Sequence, residues 1–505
     1  MRIKVTILLS FLLLDLYAQT KQDYHWLFSN NTELTPGNES YGFDFNVGED
    51  VGSFQGLLPI RFQGLNASIS DEHGNLIFYS NGCQIVGADH KVLPNGSNLN
   101  KGDWFEMIGD SCNAGYIGFQ DILILPDPAN DEGFYHVNKI IIHEDELRYR
   151  KLRYSYIDKS LNNGIGDVTE KNINVSFDNQ LLYNYLTAIK HKNGEDWWIM
   201  QPAKSPSGFH VYKIDEYGFL FDKFIPSEIP FHEFSSAAGT AVFSPDGSKY
   251  AYYNMFDNLN LYSFDREEAT LTDRSYLEIN KDTIFNAQFS SVEFSPNGRY
   301  LYVAVRDSLW QVDTFEESLE DGLELIDVYD GTSDPFPTVF HLMALAPDCK
   351  IYITPSSSSN VYHVINKPNE KGVACDFAQR GIHLPFTSSA ANLPNFPKFR
   401  VDEDEKCDPT IGTMFGEVVY YRRDLSLFPN PSKGKVTIEI PEGFNGRLYV
   451  FDMHGREVIQ NMEINNRNEK QLDLSNLSSG SYTIEFIPLD TSEKLIWTNK
   501  IVIVK

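Results

Sequence analysis

The sequence lacks the local motifs that mark the common classes of enzyme. It contains no Gly-x-Ser-x-Gly elbow, no His-Glu-x-x-His pair, no phosphate-binding glycine loop and no Cys-x-x-Cys motif. His143-Glu144 and His232-Glu233 each start like a zinc-protease helix, but neither is followed by a second histidine one turn later. We therefore assign no catalytic, cofactor-binding or metal-binding residue from the sequence, and any cofactor is unknown.

Basic residues are scarce. The chain has 42 Lys and Arg against 70 Asp and Glu, which gives a formal net charge of -28. A field of this sign repels polyanions, so the composition argues against nucleic acid as a partner. The acidity suits a soluble extracellular protein; attraction of divalent cations or of cationic ligands is the alternative. The oxygen-rich stretch 127–132 lacks the spacing of an EF-hand and fits a hairpin better.

Long apolar runs are also missing. The run near the N terminus covers residues 5–14 and stops at Asp15. A membrane-spanning helix needs roughly 20 apolar residues, so this run is too short to be an anchor. We expect no transmembrane segment in the mature chain.

The same N-terminal stretch follows the plan of a cleavable signal peptide over residues 1–18. Arg2 and Lys4 give it a positive start, the apolar run follows, and the small residue Ala18 precedes Gln19. We expect cleavage between Ala18 and Gln19 and export from the cytoplasm.

Cysteines are few and odd in number. An exported protein meets oxidising conditions, so disulfides are allowed, but five cysteines leave at least one thiol unpaired within the chain. Cys83 and Cys112 are the preferred pair because both fall in loops of one structural unit. The other three are Cys349, Cys375 and Cys407.

An internal repeat is what the sequence does contain. Pro245, Pro296 and Pro347 are spaced 51 residues apart, and each lies between two strand-like runs. This spacing fits the blades of a β-propeller, whose four strands take roughly 40 to 50 residues. The repeated segments are residues 241–250, 292–301 and 343–352.

The turn inside each repeat has a recognisable chemistry. Proline presets its own dihedral angle, Asp or Asn can bond the local backbone, and glycine accepts a positive φ. Cys349 stands where the other two copies have Gly247 and Gly298. The third turn is therefore predicted to be strained or differently shaped.

The strands predict blades rather than a sandwich, because residues 300–305 are apolar on both faces. Weaker copies of the repeat bring the count to six, and a seventh blade can be assembled from both ends of the region. We predict an all-β fold with a propeller over residues 22–400, seven blades favoured and six possible. The weaker copies are 67–79, 122–137 and 186–200, and the seventh blade would take one strand from 392–399 and others from 24–29 and 41–45.

Several strings in this region resemble a family of secreted WD40-like propeller proteins over roughly residues 24–400. That family is largely uncharacterised, so the resemblance implies a fold and export and supplies no chemistry. The strings are residues 26–31, 70–82, 92–96, 153–158 with 166–168, and 186–191.

The composition and the hydrophobic pattern of the sequence change after the propeller region. Residues 401–424 are predicted to be an acidic linker, and charge runs such as 402–405 are usually solvated. From residue 425 to 505, apolar residues alternate with polar ones in short strands, which predicts a small β-sandwich.

This C-terminal region resembles a type A sorting domain of the type IX secretion system, the Por secretion system. The resemblance rests on ordered motifs over about eighty residues, including the terminal stretch 500–505. An unrelated carbohydrate-binding sandwich would not explain their order. The motif residues are Phe428, Pro429, Asn430, Pro431, Gly434, Gly455, Leu477, Gly480 and Tyr482.

The resemblance implies a route. The signal peptide would take the chain to the periplasm, and the C-terminal domain would engage the outer-membrane translocon. A sorting peptidase would then remove that domain, with the cut expected near Asp424, and leave the protein secreted or at the cell surface.

The function of the propeller is open between two hypotheses. A binding or interaction module with an unknown extracellular ligand is favoured, because no catalytic motif occurs. A hydrolase or lyase with a site at the channel mouth is the alternative, since propellers assemble sites from distant loops. Tryptophans such as Trp104, Trp197, Trp198 and Trp310 could stack on sugars, but core packing fits them better.

Overall fold

The computed structural model covers most of the propeller region and most of the C-terminal region. Ala18, Gln19, Trp104 and Gly455 lie outside the described residues. Those described are 20–29, 40–46, 52–56, 58–102, 105–106, 112, 115–144, 147–175, 181–232, 239–279, 290–333, 336–388, 392–411, 421–439, 446–452, 457–464, 469–488 and 495–505.

The first two sheets of the propeller region have three strands each, in sequence order. Blade one contains β1 (His25–Phe28), β2 (Ser40–Asp44) and β3 (Gly52–Gly56). Blade two contains β4 (Ala67–Ser70), β5 (Leu76–Ser80) and β6 (Ile85–Gly87).

Five four-stranded antiparallel sheets follow. Blade three contains β7 (Ile122–Asp127), β8 (Asn130–Glu144), β9 (Leu147–Asp158) and β10 (Asp167–Asn174). Blade four contains β11 (Thr187–Lys190), β12 (Trp197–Ala203), β13 (Gly208–Asp215) and β14 (Gly218–Pro226). Blade five contains β15 (Gly239–Phe243), β16 (Lys249–Asn254), β17 (Asn258–Asp265) and β18 (Thr270–Leu277). Blade six contains β19 (Ser290–Phe294), β20 (Tyr300–Val305), β21 (Ser308–Asp313) and β22 (Leu323–Val328). Blade seven contains β23 (Phe340–Leu345), β24 (Ile351–Pro355), β25 (Ser359–Ile365) and β26 (Phe377–Ser388).

The blades stack through the faces of their inner strands. Every residue of β15 and of β20 is buried, whereas the outermost strand β18 is largely exposed. Adjacent blades are also joined by hydrogen bonds, such as that from Val292 N in blade six to Thr240 Oγ1 in blade five, at 2.9 Å. Burial of both faces confirms the predicted β-propeller, and the seven sheets agree with the favoured blade number.

The ring closes differently from the prediction. Residues 392–399 do not add a strand to any sheet. Blade one consists of β1–β3, and blade seven consists of β23–β26. Pro394 and Pro397 lack the N–H groups that a ladder strand needs. Blade seven instead packs on blade one through aromatic rings, with Trp26 and Tyr352 centroids 5.6 Å apart.

The repeated turn keeps one shape in all three copies. The φ angles of Gly247, Gly298 and Cys349 are 70°, 68° and 65°. A β-branched or bulky residue is rarely found at such angles, and Cys349 has a Cβ where the other copies have none. Of the two predicted outcomes, the structure therefore has the strained turn of unchanged shape.

The start of the predicted acidic linker is packed against the propeller. Asp402 pairs with Arg266 of blade five at 2.7 Å, and the Glu403 side chain accepts a hydrogen bond from Thr20 N at 3.0 Å. Val401 and Cys407 are buried. The acidic run is thus partly engaged in ion pairs and hydrogen bonds, because the preceding residues leave the ring beside blades four and five.

The C-terminal region is a β-sandwich of a five-stranded and a three-stranded sheet, with strand orders β27-β34-β33-β30-β31 and β28-β29-β32. Its core contains the alternating apolar residues of the predicted strands, including Val436, Leu448 and Ile484. The strands are β27 (Tyr421–Asp424), β28 (Ser426–Phe428), β29 (Lys435–Glu439), β30 (Gly446–Phe451), β31 (Glu457–Ile464), β32 (Glu469–Asp473), β33 (Gly480–Pro488) and β34 (Leu495–Ile503).

In the described part of the chain, the two named helical elements are single turns. These are α1 (Leu161–Gly164) in blade three and the 3-10 turn η1 (Gly372–Cys375) in blade seven. In the described part of the chain, no helix has the length and apolar character needed to cross a membrane.

Candidate functional site

The centre of the propeller is occupied by the chain itself. Residues 392–400, which we call the channel segment, run across the inner strands of several blades. Asn395 N donates to the Asn66 carbonyl at 2.9 Å, and its side-chain amide donates to Ile122 O at 2.8 Å. Lys398 N donates to Ala188 O at 3.0 Å. These acceptors belong to blades two, three and four, so the segment crosses the mouth where a propeller site would be assembled.

An ion pair fixes the channel segment to the opposite side. Lys398 Nζ lies 3.0 Å from Glu293 Oε1, on β19 of blade six. Glu293 Oε1 also accepts a hydrogen bond from Phe294 N at 3.0 Å. The cavity left beside the segment encloses about 100 Å³. Small-molecule sites usually span roughly 300–1,000 Å³, so this space suits a few water molecules better than a substrate.

The buried histidines are structural rather than poised for acid–base chemistry. Burial lowers the pKa of His136 to about 4 and that of His341 to about 3. The His341 ring packs edge-on against Phe119, with centroids 4.8 Å apart, and His136 Nε2 is 2.8 Å from Ser80 Oγ. Both rings are therefore neutral near pH 7, and a neutral buried imidazole held by packing is a core residue.

Metal ligands do not converge in the described part of the propeller and sandwich, where no group of three or more His, Cys, Asp or Glu could hold an ion. The oxygen-rich stretch at 127–132 forms the turn between β7 and β8. Asp127 accepts hydrogen bonds there from Tyr156 Oη at 2.6 Å and from Ala129 N at 3.0 Å. These oxygens close a hairpin.

The candidate sugar-stacking tryptophans are mostly part of the core. Trp197 and Trp198 are 2% and 4% exposed. Trp197 packs edge-on against Phe399 of the channel segment at 5.7 Å, and Trp198 Nε1 donates to Arg266 O at 2.7 Å. Trp310 is half-buried and its Nε1 donates to Ser308 Oγ at 2.9 Å. The ring faces of Trp197 and Trp198 are therefore closed to a ligand.

Two disulfides form, one within the propeller and one between the propeller and the start of the linker. One joins Cys83 to Cys112, and the other joins Cys349 to Cys407, 58 residues further along the chain. Cys375 remains a thiol and is buried, and burial raises its pKa to about 11, which makes it a poor nucleophile. The second bond was not predicted, although a cysteine in a glycine position of a repeated turn was a signal for it.

The first motif of the C-terminal sandwich lies against the last strand, β34. The Asn430 side chain donates to Lys500 O at 2.7 Å and accepts from Val502 N at 3.0 Å. Ser432 N donates to Val502 O at 2.8 Å. Residues 428–431 are thus held along β34, while Phe428 itself is exposed at the surface.

Gly434 is required by its geometry. Its φ is +108°, and a Cβ added there would lie 2.6 Å from Ser475 Cα. The later motif residues shape the turn into β33. Leu477 N donates to Leu474 O at 3.0 Å, and the Tyr482 hydroxyl donates to Ser478 O at 3.0 Å.

Gly480 begins β33 and pairs with Ile503 near the end of β34. Asn430, Gly480 and Tyr482 thus lie along β34, whereas Gly434 and Leu477 contact residues 474 and 475, just after β32.

The fold defines a β-propeller protein that carries a small β-sandwich at its C-terminal end. Residues 426–504 match the family model of the secretion system C-terminal sorting domain. The chain is therefore a propeller protein with a type IX sorting domain, exported to the cell surface or secreted, and the domain implies interaction with the secretion machinery.

Solved structures resemble the chain only in outline. A functionally unknown protein from Desulfotomaculum acetoxidans is 13% identical, with a TM-score of 0.39, covering 73% of this chain and 99% of that one. PorZ, a surface component of the type IX secretion system of Porphyromonas gingivalis, is 12% identical with a TM-score of 0.29, covering 93% and 68%. A gluconolactonase from Xanthomonas campestris is 12% identical with a TM-score of 0.30, covering 67% and 94%. At these scores the likeness carries no functional information, and no curated protein matches the chain.

Proposed function

We propose that this protein is an exported binding module whose propeller holds a ligand at or beyond the cell surface. Two targeting signals direct that export. Residues 1–18 act as a signal peptide, and the sandwich is engaged by the outer-membrane translocon and removed by the sorting peptidase. The propeller that remains carries the function.

The observation that supports binding over catalysis is the filled channel. Lys398 and Glu293 neutralise each other at 3.0 Å across the centre of the ring, and the adjacent cavity measures about 100 Å³. A glycoside hydrolase or lyase at this position would need room for a substrate and a pair of acid and base groups free to exchange protons. The channel segment occupies the space at the centre of the ring, and its Lys398 pairs with the carboxylate of Glu293.

The test compares binding with turnover in the mature exported protein. Surface polysaccharides and peptides are presented on an array, and the same panel is incubated with the protein while released reducing ends and unsaturated products are followed. We expect specific binding without turnover. The matched variant is the double substitution Glu293→Gln with Lys398→Met, which removes the channel ion pair without leaving one charge buried alone.

Binding that survives in the double variant, with its thermal unfolding still cooperative, agrees with a ligand held outside the channel. Turnover in the wild type that disappears in the double variant would establish the hydrolase or lyase and overturn this proposal.

A further inference from the structure

The outer edge of blade four is a strand with exposed apolar side chains. β14 is the last strand of a sheet with the order β11-β12-β13-β14, and among the described strands only β13 pairs with it. Leu220 and Phe221, in the middle of β14, are 54% and 43% exposed. The backbone N–H and C=O groups along such an edge are available to a further strand, and apolar side chains beside them favour that pairing.

The other four-stranded blades protect their outer strands in two ways. β10, β18 and β26 each contain a non-glycine residue with a positive φ, which breaks the extended edge. β22 is covered by η1 and by Gln379 of blade seven, whose Nε2 donates to Val328 O at 2.9 Å. The positive-φ residues are Asn172 at 60°, Asp273 at 50° and Arg380 at 55°. In β14 only Gly218, its first residue, has a positive φ, and no described side chain bonds its outer edge.

A β-bulge in β14 relates the two halves of the strand. Asp222 is the extra residue, because the residues on either side of it pair with adjacent positions of β13. The hydrogen-bonding alternation is therefore shifted by one residue at Asp222. As a result, Phe221 and Phe224 occupy equivalent ladder positions, opposite residues two apart on β13. Their rings also lie on one face, with centroids 5.5 and 5.2 Å from that of His210.

This arrangement makes the edge complementary to itself. When two copies of β14 run antiparallel about a two-fold axis between positions 222 and 223, apolar residues face apolar residues and each charge faces the opposite charge. The facing pairs are Leu220 with Ile225, Phe221 with Phe224 and Asp222 with Lys223, each formed twice. A shift of the register by one residue would place Asp222 opposite Asp222 or Lys223 opposite Lys223, and like charges directly opposite are destabilising.

We propose that two copies of this chain associate edge to edge through β14, so that both blades four form one continuous antiparallel sheet. The same patch is used on both copies, so the assembly closes at a dimer. An extended segment of another protein can also add a strand to an edge, but the order Asp222-Lys223 matches a second copy without a further partner. The dimer presents two propellers, which raises the avidity for any repeating ligand.

The experiment is sedimentation velocity of the mature exported protein over a range of concentrations. We expect a monomer–dimer equilibrium with a micromolar dissociation constant, because one strand per copy buries less than the roughly 1,200 Å² of a standard interface. Association should tighten as salt rises, since the formal net charge of -28 makes two copies repel each other. Backbone amides of residues 218–226 should exchange hydrogen more slowly in the dimer.

A charge exchange tests the symmetry and the register together. Asp222→Lys alone and Lys223→Asp alone each place like charges opposite one another twice, and each should weaken dimerisation tenfold or more. The double variant with both substitutions restores opposite charges and should recover most of the wild-type affinity. Within one copy Lys223 Nζ lies 3.3 Å from Asp222 Oδ2, with side chains 34% and 32% exposed, so these changes should have little effect on folding.

Leu220→Lys tests the apolar part of the edge. A lysine at this position protects edge strands in natural proteins, and it should weaken dimerisation tenfold or more. The matched control is Leu325→Lys on β22, which changes a leucine of similar exposure, 43%, on a covered outer strand and should leave dimerisation unchanged. Thermal unfolding of each variant verifies that it is folded.

A protein that stays monomeric at every concentration and salt would overturn this inference and leave the edge to a strand of another protein. Equal dimerisation in folded Leu220→Lys would also overturn it, as would a double charge exchange that fails to recover the loss of the single variants. None of these results bears on the proposed ligand binding, which the array measures independently.

Discussion

Arg400 and Asp23 form a two-pronged ion pair that joins the two ends of the propeller, 377 residues apart in sequence. Arg400 Nη2 donates to Asp23 Oδ2 at 2.6 Å, and both side chains are 9% exposed. Among the strands that the structure describes, none is shared between the first and last blades, so this pair and the Trp26–Tyr352 contact join the two ends of the ring.

Breaking that pair should destabilise the propeller strongly. Arg400→Met leaves Asp23 buried without its cation, and we expect a loss of roughly 3–5 kcal/mol in the free energy of unfolding. Guanidinium titration of the mature protein measures it. The matched control is Arg380→Met, which breaks the more exposed pair with Asp330 and should change stability by about 1 kcal/mol or less. Equal, small losses in both variants would show that closure depends on packing alone.

Replacing Cys349 should destabilise the protein less than replacing Cys407, although either change removes the disulfide between them. The bond encloses a loop of about 58 residues, and its loss should cost roughly 2–5 kcal/mol. Cys349→Gly also relieves the positive φ of 65°, which offsets roughly 1 kcal/mol of that loss, whereas Cys407→Ala has no such gain. Thermal unfolding should therefore rank wild type above Cys349→Gly and Cys349→Gly above Cys407→Ala.

Reduction provides the control for this ranking. With dithiothreitol the wild type loses the bond while Cys349→Gly has none to lose at this site, so their order should reverse. An unchanged order after complete reduction of this bond would contradict strain at Cys349.

Mild acid should destabilise the fold through its buried histidines. The pKa of His136 is about 4 in the folded protein and that of His341 about 3, against 6.5 in the unfolded chain. Between pH 6.5 and about 4 the unfolded state binds protons that the folded state does not, so stability falls as the pH falls. Each ring should remove about 2 kcal/mol by pH 5.

The contribution of Asp348 to stability has the opposite pH dependence and provides an internal check. Burial raises its pKa to about 6, so its contribution to stability decreases as the pH rises from about 4 to 6. Asp348→Asn should remove this compensation and steepen the acid loss measured by guanidinium midpoints. A midpoint that is constant from pH 7 to pH 5 in both proteins would contradict the assignment of neutral buried histidines.

Export should depend on Gly434 much more than on Gly480. A methyl group at Gly434 meets Ser475 Cα at 2.6 Å at a φ of +108°, whereas the nearest atom to a methyl at Gly480 is Tyr482 Cε2 at 3.7 Å. We expect Gly434→Ala to disrupt the docking of residues 428–431 on β34 and to reduce surface or secreted protein severalfold. Gly480→Ala should be exported normally. Immunoblots of cell and medium fractions measure both, and equal export would contradict the structural role of Gly434.

The repeat and the strand patterns predicted much of the architecture because their signals are local. The 51-residue spacing of Pro245, Pro296 and Pro347 reflects one turn built three times, and two-faced apolar strands such as residues 300–305 identify stacked blades. Residues 392–399 are an exception, since their sequence resembles a strand that follows the last blade. Their prolines cannot join a ladder, and their place in the ring is set by partners in blades two, three and four.

The candidate sites show the same division. Asn430 and Gly434 stand in an ordered motif that the sequence displays directly, while the Lys398–Glu293 ion pair joins residues 105 positions apart that no motif connects.

Periodicity, turn chemistry and ordered motifs are carried by neighbouring residues, so they were enough to predict an exported propeller with a C-terminal sorting domain. Three features emerge only from the packing of the folded chain: residues 392–400 fill the channel, Arg400 closes the ring on Asp23, and Lys398 pairs with Glu293. These are contacts between residues tens to hundreds of positions apart, and pairing at that distance is set by the packing of whole blades rather than by local propensity.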